Sequence, residues 1–313
     1  MSWEGSARLD DMDLSIWPSA QQTWSELVDV TQHADRTGWH GVYLWDHFMG
    51  DGGEFGAETV PTLESTAALA ALGALTERLR VAPLVLGNTY RHPAVVANWA
   101  ITLDHITGGR AVLGLGAGWQ RNEHEQYGIE LPSPGVRIER LDEACRVIRG
   151  LLDEDRAHVD GDHYALRGAH SEPKPVQSHL PLLIGGKGDR MLRLVARHAD
   201  EWNMWGLPEV IAGRAAVLDE ACERIGRDPS TVRRSAQALV CLTDDAARAR
   251  SVVGSVAPRA AFAGTAEQFA ELVERWAEVG VDEVIVPDGL LGRGAERIEA
   301  LDAIAAAVAA APG

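Results

Sequence analysis

The sequence predicts an α/β protein built as a TIM (β/α)8 barrel with insertion segments. Eight short apolar segments typical of strands alternate with longer amphipathic segments typical of helices along the whole chain. Such alternation indicates a parallel sheet, and eight βα units in 313 residues fit a barrel of about 250 residues plus insertions. An open doubly wound sheet is the alternative, because one sequence does not reveal the order of the strands.

The first four units are justified by apolar periodicity and by helix signals. Thr23 is the predicted N-cap of the first helix, and Gly38 ends that helix. The predicted strands cover residues 12–17, 41–45, 79–86 and 111–115, and the predicted helices cover residues 23–37, 62–77, 93–106 and 135–152.

The second four units follow an insertion. Residues 153–177 break the alternation, and the turn dipeptide Asp160-Gly161 predicts a hairpin there, within a single domain spanning residues 1–313. The histidines and aspartates of this hairpin are explained by turn chemistry, so no metal site is predicted. The remaining strands are predicted at residues 180–184, 201–204, 234–242 and 281–286, and the remaining helices at residues 190–198, 208–225, 266–279 and 296–310.

Charge and composition exclude several classes of function. The 46 acidic residues outnumber the 29 basic ones, for a formal charge of -17, which opposes binding to nucleic acid. No apolar segment approaches the roughly 20 residues of a membrane span. The three cysteines lie far apart, which excludes a CxxC site and fits a reducing compartment. The first residues contain no export signal, so we expect a cytoplasmic protein.

Asp46 and His47 directly follow the second predicted strand. In a barrel of this kind the active site forms at the carboxyl ends of the strands. A carboxylate beside an imidazole can orient and tune a general acid or base near neutral pH. The dipeptide alone is weak evidence, because Asp and His are also ordinary loop residues.

Two glycine-rich segments follow the fourth and fifth strands. In the first, Gly114, Gly116 and Gly118 would let a flat ligand or another part of the backbone come close, and Trp119 adds an aromatic wall. A tight turn at the barrel rim is the alternative, and the spacing is not that of a dinucleotide-binding fingerprint. The second segment, residues 185–191, opens a helix whose N–H groups favour phosphate, and Lys187, one of only two lysines, adds charge.

Half of the ten tryptophans fall at or just beyond predicted strand ends: Trp17, Trp45, Trp119, Trp202 and Trp205. Leu, Ile or Val would fill a barrel core more simply, so these indoles indicate a planar ligand. Aromatic walls beside a phosphate-binding loop predict a flavin-like cofactor.

Four segments together resemble the luciferase-like monooxygenase superfamily, in particular its coenzyme F420-dependent oxidoreductase branch. They are residues 38–47, 84–93, 114–127, and 173–177 with 184–186. The resemblance extends from Trp24 to about Val286 and implies a TIM barrel with a deazaflavin or flavin over its mouth.

The resemblance also implies roles for individual residues. Asp46 would contact the ring system, and His47 would be the catalytic acid/base beside the site of hydride transfer. Leu84 and Val85 match the position of a non-proline cis peptide behind the ring. The other matched cofactor positions are Gly87, Gly116, Trp119 and Asn122 for the ring or ribityl chain, and Gly185, Gly186, Lys187 and Gly188 for the phosphate. Some F420 enzymes place a further lysine after strand six, where this chain has Trp205-Gly206.

The function expected from these features is hydride transfer between coenzyme F420 and a small organic substrate, with His47 exchanging the accompanying proton. An FMN-dependent luciferase-like monooxygenase and a catalytically silent flavin-binding protein are the alternatives. We expect no metal and no nucleic-acid or membrane partner, and a homodimer is expected from related proteins.

Overall fold

A parallel sheet whose two ends meet forms the centre of the protein. The computed structural model describes residues 12–53 and 55–311. The strands are β1 (Asp13–Trp17), β2 (Gly41–Leu44), β3 (Arg80–Pro83), β4 (Leu86–Gly87), β5 (Leu113–Gly116), β6 (Ala157–Asp160), β7 (Ala165–Ala169), β8 (Leu182–Gly185), β9 (Glu201–Trp205), β10 (Arg233–Gln237), β11 (Leu239–Leu242), β12 (Ala261–Gly264) and β13 (Glu283–Pro287). The helices are α1 (Trp24–Thr37), α2 (Ser65–Ala74), α3 (Pro93–Thr107), α4 (Arg121–Tyr127), α5 (Pro134–Asp153), α6 (Asp189–His198), α7 (Pro208–Glu223), α8 (Ala246–Val256), α9 (Ala266–Glu278) and α10 (Ala295–Ala310).

The described residues place nine parallel strands in the order β3-β2-β1-β13-β10-β9-β8-β5-β4. Strands β3 and β4 are two halves of one barrel strand, predicted as residues 79–86. They are separated by a cis peptide bond between Leu84 and Val85, as the resemblance implies. A bridge between Val81 and Ala111 joins β3 to the start of the β5 segment, so the sheet closes and the predicted TIM barrel fold is confirmed.

Helix α1 shows how local sequence determines an element. The side chain of its N-cap Thr23 accepts from the Glu26 amide, while the Glu26 carboxylate accepts from the Thr23 amide. Gly38 ends the helix with φ at +89°, a conformation that favours glycine. Both predicted boundary signals are confirmed.

Helix α2 is shorter than its predicted range of residues 62–77. Glu64 caps its start by accepting from the Ala67 amide at 2.7 Å. Beyond its end, the amides of Glu77, Arg78 and Leu79 donate to the carboxylate of Asp35 on α1. These bonds to another helix replace the intrahelical ones and end α2 early.

The predicted strand at residues 234–242 is two strands. β10 belongs to the barrel, whereas β11 pairs with β12 in a separate two-stranded parallel sheet. Helices α4 and α8 and strand β12 are three elements that were not predicted from the sequence. Helix α8 has no buried residue among its eleven, so no apolar stripe marks it.

The insertion before β8 is the hairpin that the Asp160-Gly161 dipeptide predicts. β6 and β7 pair antiparallel. The Glu143 carboxylate on α5 accepts from the amides of Asp162 and His163 next to the turn, at 2.9 and 2.8 Å. The hairpin is therefore fixed to the barrel.

The barrel interior is layered. Glu283 and Arg80 lie at the amino ends of their strands, where Glu283 is fully buried and accepts from Tyr43 at 2.9 Å. Above them lies an apolar layer that includes Leu183 and Ile285. Val85 packs on top of this layer, so it lies at the mouth. No helix within the described ranges is long and apolar enough to cross a membrane.

Candidate active site

A cavity of about 420 Å³ opens at the carboxyl ends of the barrel strands. It is lined by Trp17, Trp45, Asp46, His47, Phe55, Leu84, Val85, Gly87, Tyr90, Gly116, Ala117, Gly118, Trp119, Gly185, Gly186, Lys187, Met191, Asn203, Met204, Trp205 and Gln237. All but two of the residues predicted for the site are in this set. A cavity at this end of a barrel is where catalysis is expected.

Asn122 and Gly188 are the two exceptions. The Asn122 amide donates to the Gly50 carbonyl at 2.9 Å and to Glu58 at 3.1 Å. It therefore holds the loop after β2 and does not line the cavity. Gly188 is the N-cap of α6, next to the lining residue Lys187. Cofactor contacts by these two residues stay predictions.

His47 is held by a carboxylate that the sequence analysis did not assign to the site. Its Nδ1 lies 2.7 Å from Oε1 of Glu123, which is fully buried on α4. The other carboxylate oxygen accepts from the Phe48 amide at 2.9 Å, and the Tyr90 hydroxyl also donates to Glu123. Burial disfavours the charge of Glu123, but the bonds from His47, Tyr90 and Phe48 outweigh it and hold the pKa of this carboxyl below its usual range.

This arrangement fixes the role of each His47 nitrogen. Ionised Glu123 can only accept, so Nδ1 carries a proton and donates it. Nε2 has no hydrogen-bond partner among the described residues, and the ring lines the cavity. In the neutral ring Nε2 is then the acceptor, free to take a proton from a ligand and return it.

Tyr90 is a second contact that the sequence analysis did not assign a role. Burial and the neighbouring Glu123 charge raise the pKa of its hydroxyl well above the usual range, so the phenol stays protonated as a donor. Its ring lies 4.7 Å from the ring of His124, whose Nε2 is 2.7 Å from the Thr89 hydroxyl. Tyr90 therefore holds Glu123 in place.

Glu123→Gln tests the charge in this network. Because the pKa of Glu123 is lowered from 4.5 in the folded chain, its ionised form stabilises the fold above pH 4.5, and this contribution disappears as the pH falls through the lowered pKa. We expect the variant to be less stable at pH 7 by about 1.5–3 kcal/mol. We expect the difference to shrink in acid.

Urea unfolding at several pH values measures this effect. The matched control is Glu125→Gln on the same helix, where the side chain is 65% exposed and faces Arg121 at 3.6 Å; it should change stability by less than about 0.5 kcal/mol. An equal loss at pH 7 and pH 3 in Glu123→Gln would show that charge is not what stabilises the network.

Asp46 is nearly fully buried and its carboxylate is occupied by the protein. It accepts from Arg91 at 2.7 and 3.0 Å and from the Gly87 amide at 2.9 Å. Gly87 lies two residues after the cis peptide bond, so Asp46 holds the backbone of β4 close to the end of β2. Its predicted contact with a ring system stays a prediction.

The glycines at the mouth leave room for the chain itself. A Cβ on Gly116 would lie 2.6 Å from a methyl group of Val85, and one on Gly185 would lie 3.2 Å from the other methyl group. A Cβ on Gly87 would lie 2.6 Å from the Tyr90 ring. Close approach within the protein therefore favours glycine at these three positions, and the cofactor contacts predicted for Gly87, Gly116 and Gly185 stay predictions.

Four of the five tryptophans predicted at the mouth line the cavity. The ring centroids of Trp17 and Trp45 are 6.2 Å apart, those of Trp17 and Trp205 are 5.4 Å apart, and Trp119 lies 5.2 Å from the His47 ring. The expectation for Trp202 was wrong. It is almost fully buried and donates from its indole nitrogen to the Gly186 carbonyl at 2.8 Å, so it braces the glycine-rich loop from behind.

Lys187 gives the cavity rim a positive charge. Its side chain is exposed, and it forms no salt bridge with any described residue. It precedes α6, whose N-cap Gly188 makes no side-chain capping bond. Uncapped N–H groups at a helix start attract anions.

The sequence profile of the family described as luciferase-like monooxygenase matches residues 11–311. This chain belongs to that family. The resemblance stated from the sequence is confirmed, and membership supports an enzyme of the oxidoreductase or monooxygenase type.

Curated relatives of this luciferase-like chain differ in the reaction that their names state. An F420-dependent glucose-6-phosphate dehydrogenase from Microbacterium testaceum is 36% identical over 180 residues, which are 56% of this chain and 51% of the relative. A pyrimidine monooxygenase, RutA, from Cronobacter sakazakii is 32% identical over 216 residues, or 66% of this chain and 58% of the relative. Each match covers between half and two thirds of the relative.

Solved structures agree in fold. An F420-dependent secondary alcohol dehydrogenase in complex with an F420-acetone adduct superposes with a TM-score of 0.82 at 20% identity, covering 94% of this chain and 99% of the other. A long-chain alkane monooxygenase superposes with a TM-score of 0.79 at 13% identity, covering 94% and 90%. These likenesses establish the luciferase-like barrel.

Proposed function

We propose that this protein transfers a hydride between coenzyme F420 and a small organic substrate. The observation that carries the proposal is His47, held through Nδ1 by a buried ionised Glu123 and lining the cavity with no partner on Nε2 among the described residues. Hydride transfer to or from a carbon that bears oxygen needs a group that exchanges a proton with that oxygen. His47 supplies such a group.

The cavity fits a phosphorylated planar cofactor. Trp17, Trp45 and Trp119 offer aromatic faces, and the buried indole nitrogen of Trp45 lacks a partner among the described residues. Gly186 and Lys187 at the start of α6 would hold the phosphate. Bound F420 supplies a ring carbon that accepts or donates a hydride.

In the oxidising direction, His47 Nε2 takes the proton from the substrate hydroxyl as a hydride leaves the adjacent carbon. Glu123 stabilises the resulting imidazolium through Nδ1. In the reducing direction His47 returns the proton to the carbonyl oxygen. Trp119 and Phe55, whose rings lie 5.2 and 5.8 Å from the His47 ring, would keep water away from this exchange.

Turnover is tested by mixing the protein with F420 and a panel of small alcohols without oxygen, and following loss of the F420 absorbance. We expect at least one alcohol to bleach the cofactor, and the matching ketone or aldehyde to reoxidise it. No reaction with any member, in either direction, would contradict the proposal.

Lys187→Ala is expected to weaken F420 binding about tenfold, because one cation facing a phosphate at a partly desolvated loop contributes roughly 1.4 kcal/mol. The loss should shrink as salt is raised, since salt screens exposed charges. Fluorescence titration of F420 at low and high salt measures both effects.

The matched control is the other lysine. Lys174 donates through Nζ to the Leu151 carbonyl at 2.9 Å and to the Glu154 carbonyl at 2.5 Å, at the end of α5. Lys174→Ala should lower the melting temperature and leave F420 affinity unchanged. If both substitutions changed affinity equally, Lys187 would have no specific role.

An FMN-dependent monooxygenase is the second candidate, supported by the relative named pyrimidine monooxygenase. It predicts oxygen uptake when the protein is mixed with reduced FMN and a substrate. The catalytically silent flavin-binding protein is less well supported, because it needs no acid/base. A homodimer and a cytoplasmic location are also proposed, as the sequence analysis expects.

A further inference from the structure

Two side-chain amides on the wall of the cavity each leave one polar atom without a partner among the described residues. Asn203 on β9 and Gln237 on β10 both line the cavity and are 3% and 2% exposed. Neither of these two atoms is among the fully enclosed unpaired side-chain atoms of the described residues, so both are open to a ligand in the cavity.

Their orientation follows from the Ser235 carbonyl, which can only accept and lies 3.4 Å from Nδ2 of Asn203. Nδ2 of Asn203 donates to the Ser235 hydroxyl at 2.9 Å and to Oε1 of Gln237 at 2.6 Å. Both hydrogens of the Asn203 amide and the oxygen of Gln237 are thereby used. The acceptor Oδ1 of Asn203 and the donor Nε2 of Gln237 are the two atoms left over.

The pair lies across the mouth from the acid/base. When β3 and β4 are counted as one strand of the closed sheet, β9 is four strands from β2 in either direction, and His47 follows β2. The Asn203 carbonyl also accepts from the Gly186 amide at 3.0 Å, which ties this side of the wall to the glycine-rich loop. A ligand that contacts both His47 and the pair therefore spans the cavity.

We propose that Asn203 and Gln237 recognise a ligand edge in which an N–H lies beside a C=O, as in a cyclic amide, imide or ureide. The ligand N–H donates to Oδ1 of Asn203, and its carbonyl accepts from Nε2 of Gln237. A ketone or ester offers only acceptors and an ammonium only donors, so neither satisfies both atoms.

This chemistry has two possible sources in one cavity: the pyrimidine ring of the F420 deazaflavin, or an amide-containing substrate. The ligand edge would bind in the same cavity that would hold F420. The role assigned to Asn203 and Gln237 therefore rests on the proposed function. Methylating the ligand nitrogen removes the N–H and keeps the carbonyl, which makes methylation a direct probe of the pair.

In the first arm, the deazaflavin chromophore of F420, without its phosphate tail, is titrated against the same chromophore methylated at N3, with fluorescence as the readout. In the second arm, uracil is titrated against its N,N′-dimethyl derivative, by calorimetry, on the protein with and without F420. We expect methylation to weaken binding at least about tenfold in one arm, the scale of a buried hydrogen bond. Weaker binding of the methylated chromophore would identify the cofactor as the ligand, and weaker binding of the methylated uracil would identify an amide-containing substrate.

Asn203→Leu removes the acceptor Oδ1. In this variant, the unmethylated and methylated forms of the ligand that responds in wild-type protein should bind with nearly equal affinity, so that the ratio of the two affinities is close to one. The control Gln177→Leu removes an amide that donates to Asp104 at 2.6 Å and to the Ala111 carbonyl at 2.9 Å, outside the cavity lining, and should keep the wild-type ratio. If Asn203→Leu does not fold, the methylation ratio in wild-type protein decides alone.

Suppose that wild-type protein binds F420 but that methylation changes neither the chromophore affinity nor the uracil affinity. This result overturns the assignment of Asn203 and Gln237 and leaves the proposed function standing. If folded Asn203→Leu still binds the unmethylated ligand as much more tightly than the methylated one as wild-type protein does, the assignment is also overturned. Wild-type protein that fails to bind F420 contradicts the proposed function instead, and the uracil arm without F420 then decides the assignment.

Discussion

Replacing His47 with alanine is expected to keep the affinity for F420 and to lower turnover by about 10²- to 10⁴-fold, the usual contribution of a positioned acid/base. The expectation follows from the geometry of the ring. Glu123 holds Nδ1 at 2.7 Å, and Nε2 has no partner among the described residues. Without the imidazole, the substrate proton must exchange with water.

The measurement is steady-state bleaching of F420 together with a fluorescence titration of the cofactor. His33→Ala is a suitable control, because His33 contacts Asp302 at 2.6 Å between α1 and α10, far from the cavity lining. If His47 and Glu123 act as one unit, combining His47→Ala with Glu123→Gln should cost little more turnover than His47→Ala alone. Unchanged turnover in His47→Ala would remove the assigned role.

Gly114→Ala is expected to prevent folding or to destabilise the protein by about 3 kcal/mol or more. A Cβ at this position on β5 would lie 2.0 Å from the Pro83 carbonyl oxygen. That oxygen is backbone next to the break between β3 and β4, so it cannot rotate away as a flexible side chain would. Relief would require moving the strand that carries the floor of the active site.

Gly213→Ala provides the matched control. Gly213 lies inside α7, and nothing is within 4 Å of the Cβ that alanine would add, so the substitution should stabilise the protein by about 0.5–1 kcal/mol through helix propensity. Urea unfolding measures both variants. A Gly114→Ala midpoint close to that of wild type would contradict the close approach of these two strands.

Much of the barrel could be predicted from the sequence because its signals are local. The Thr23 and Gly38 caps, the alternation of strands and helices, and the Asp160-Gly161 turn each depend on a few neighbouring residues. Helix α8 has an N-cap, Asp245, but no apolar stripe to mark its length, because none of its residues is buried. The division of β10 from β11 was also hidden, since Ala238 alone separates the two strands and no turn residue marks the break.

The candidate site was predicted in part. His47 was found because it follows a strand, whereas Glu123 lies 76 residues later in the chain and reaches His47 only through folding. Asn203 and Gln237 sit within strands, where the sequence offers no mark of an unpaired amide. Trp202 was misplaced because it is the second residue of β9 and not at its carboxyl end, and its indole packs in the hydrophobic core.

The most direct test of the account is a paired titration of the purified protein with F420 and with reduced FMN. Binding is followed by cofactor fluorescence or absorbance, and oxygen consumption is recorded alongside. We expect F420 to bind more tightly than FMN, its binding to weaken in Lys187→Ala, and no substrate-dependent oxygen uptake to occur. Tight binding of reduced FMN with oxygen uptake, and no binding of F420, would contradict it.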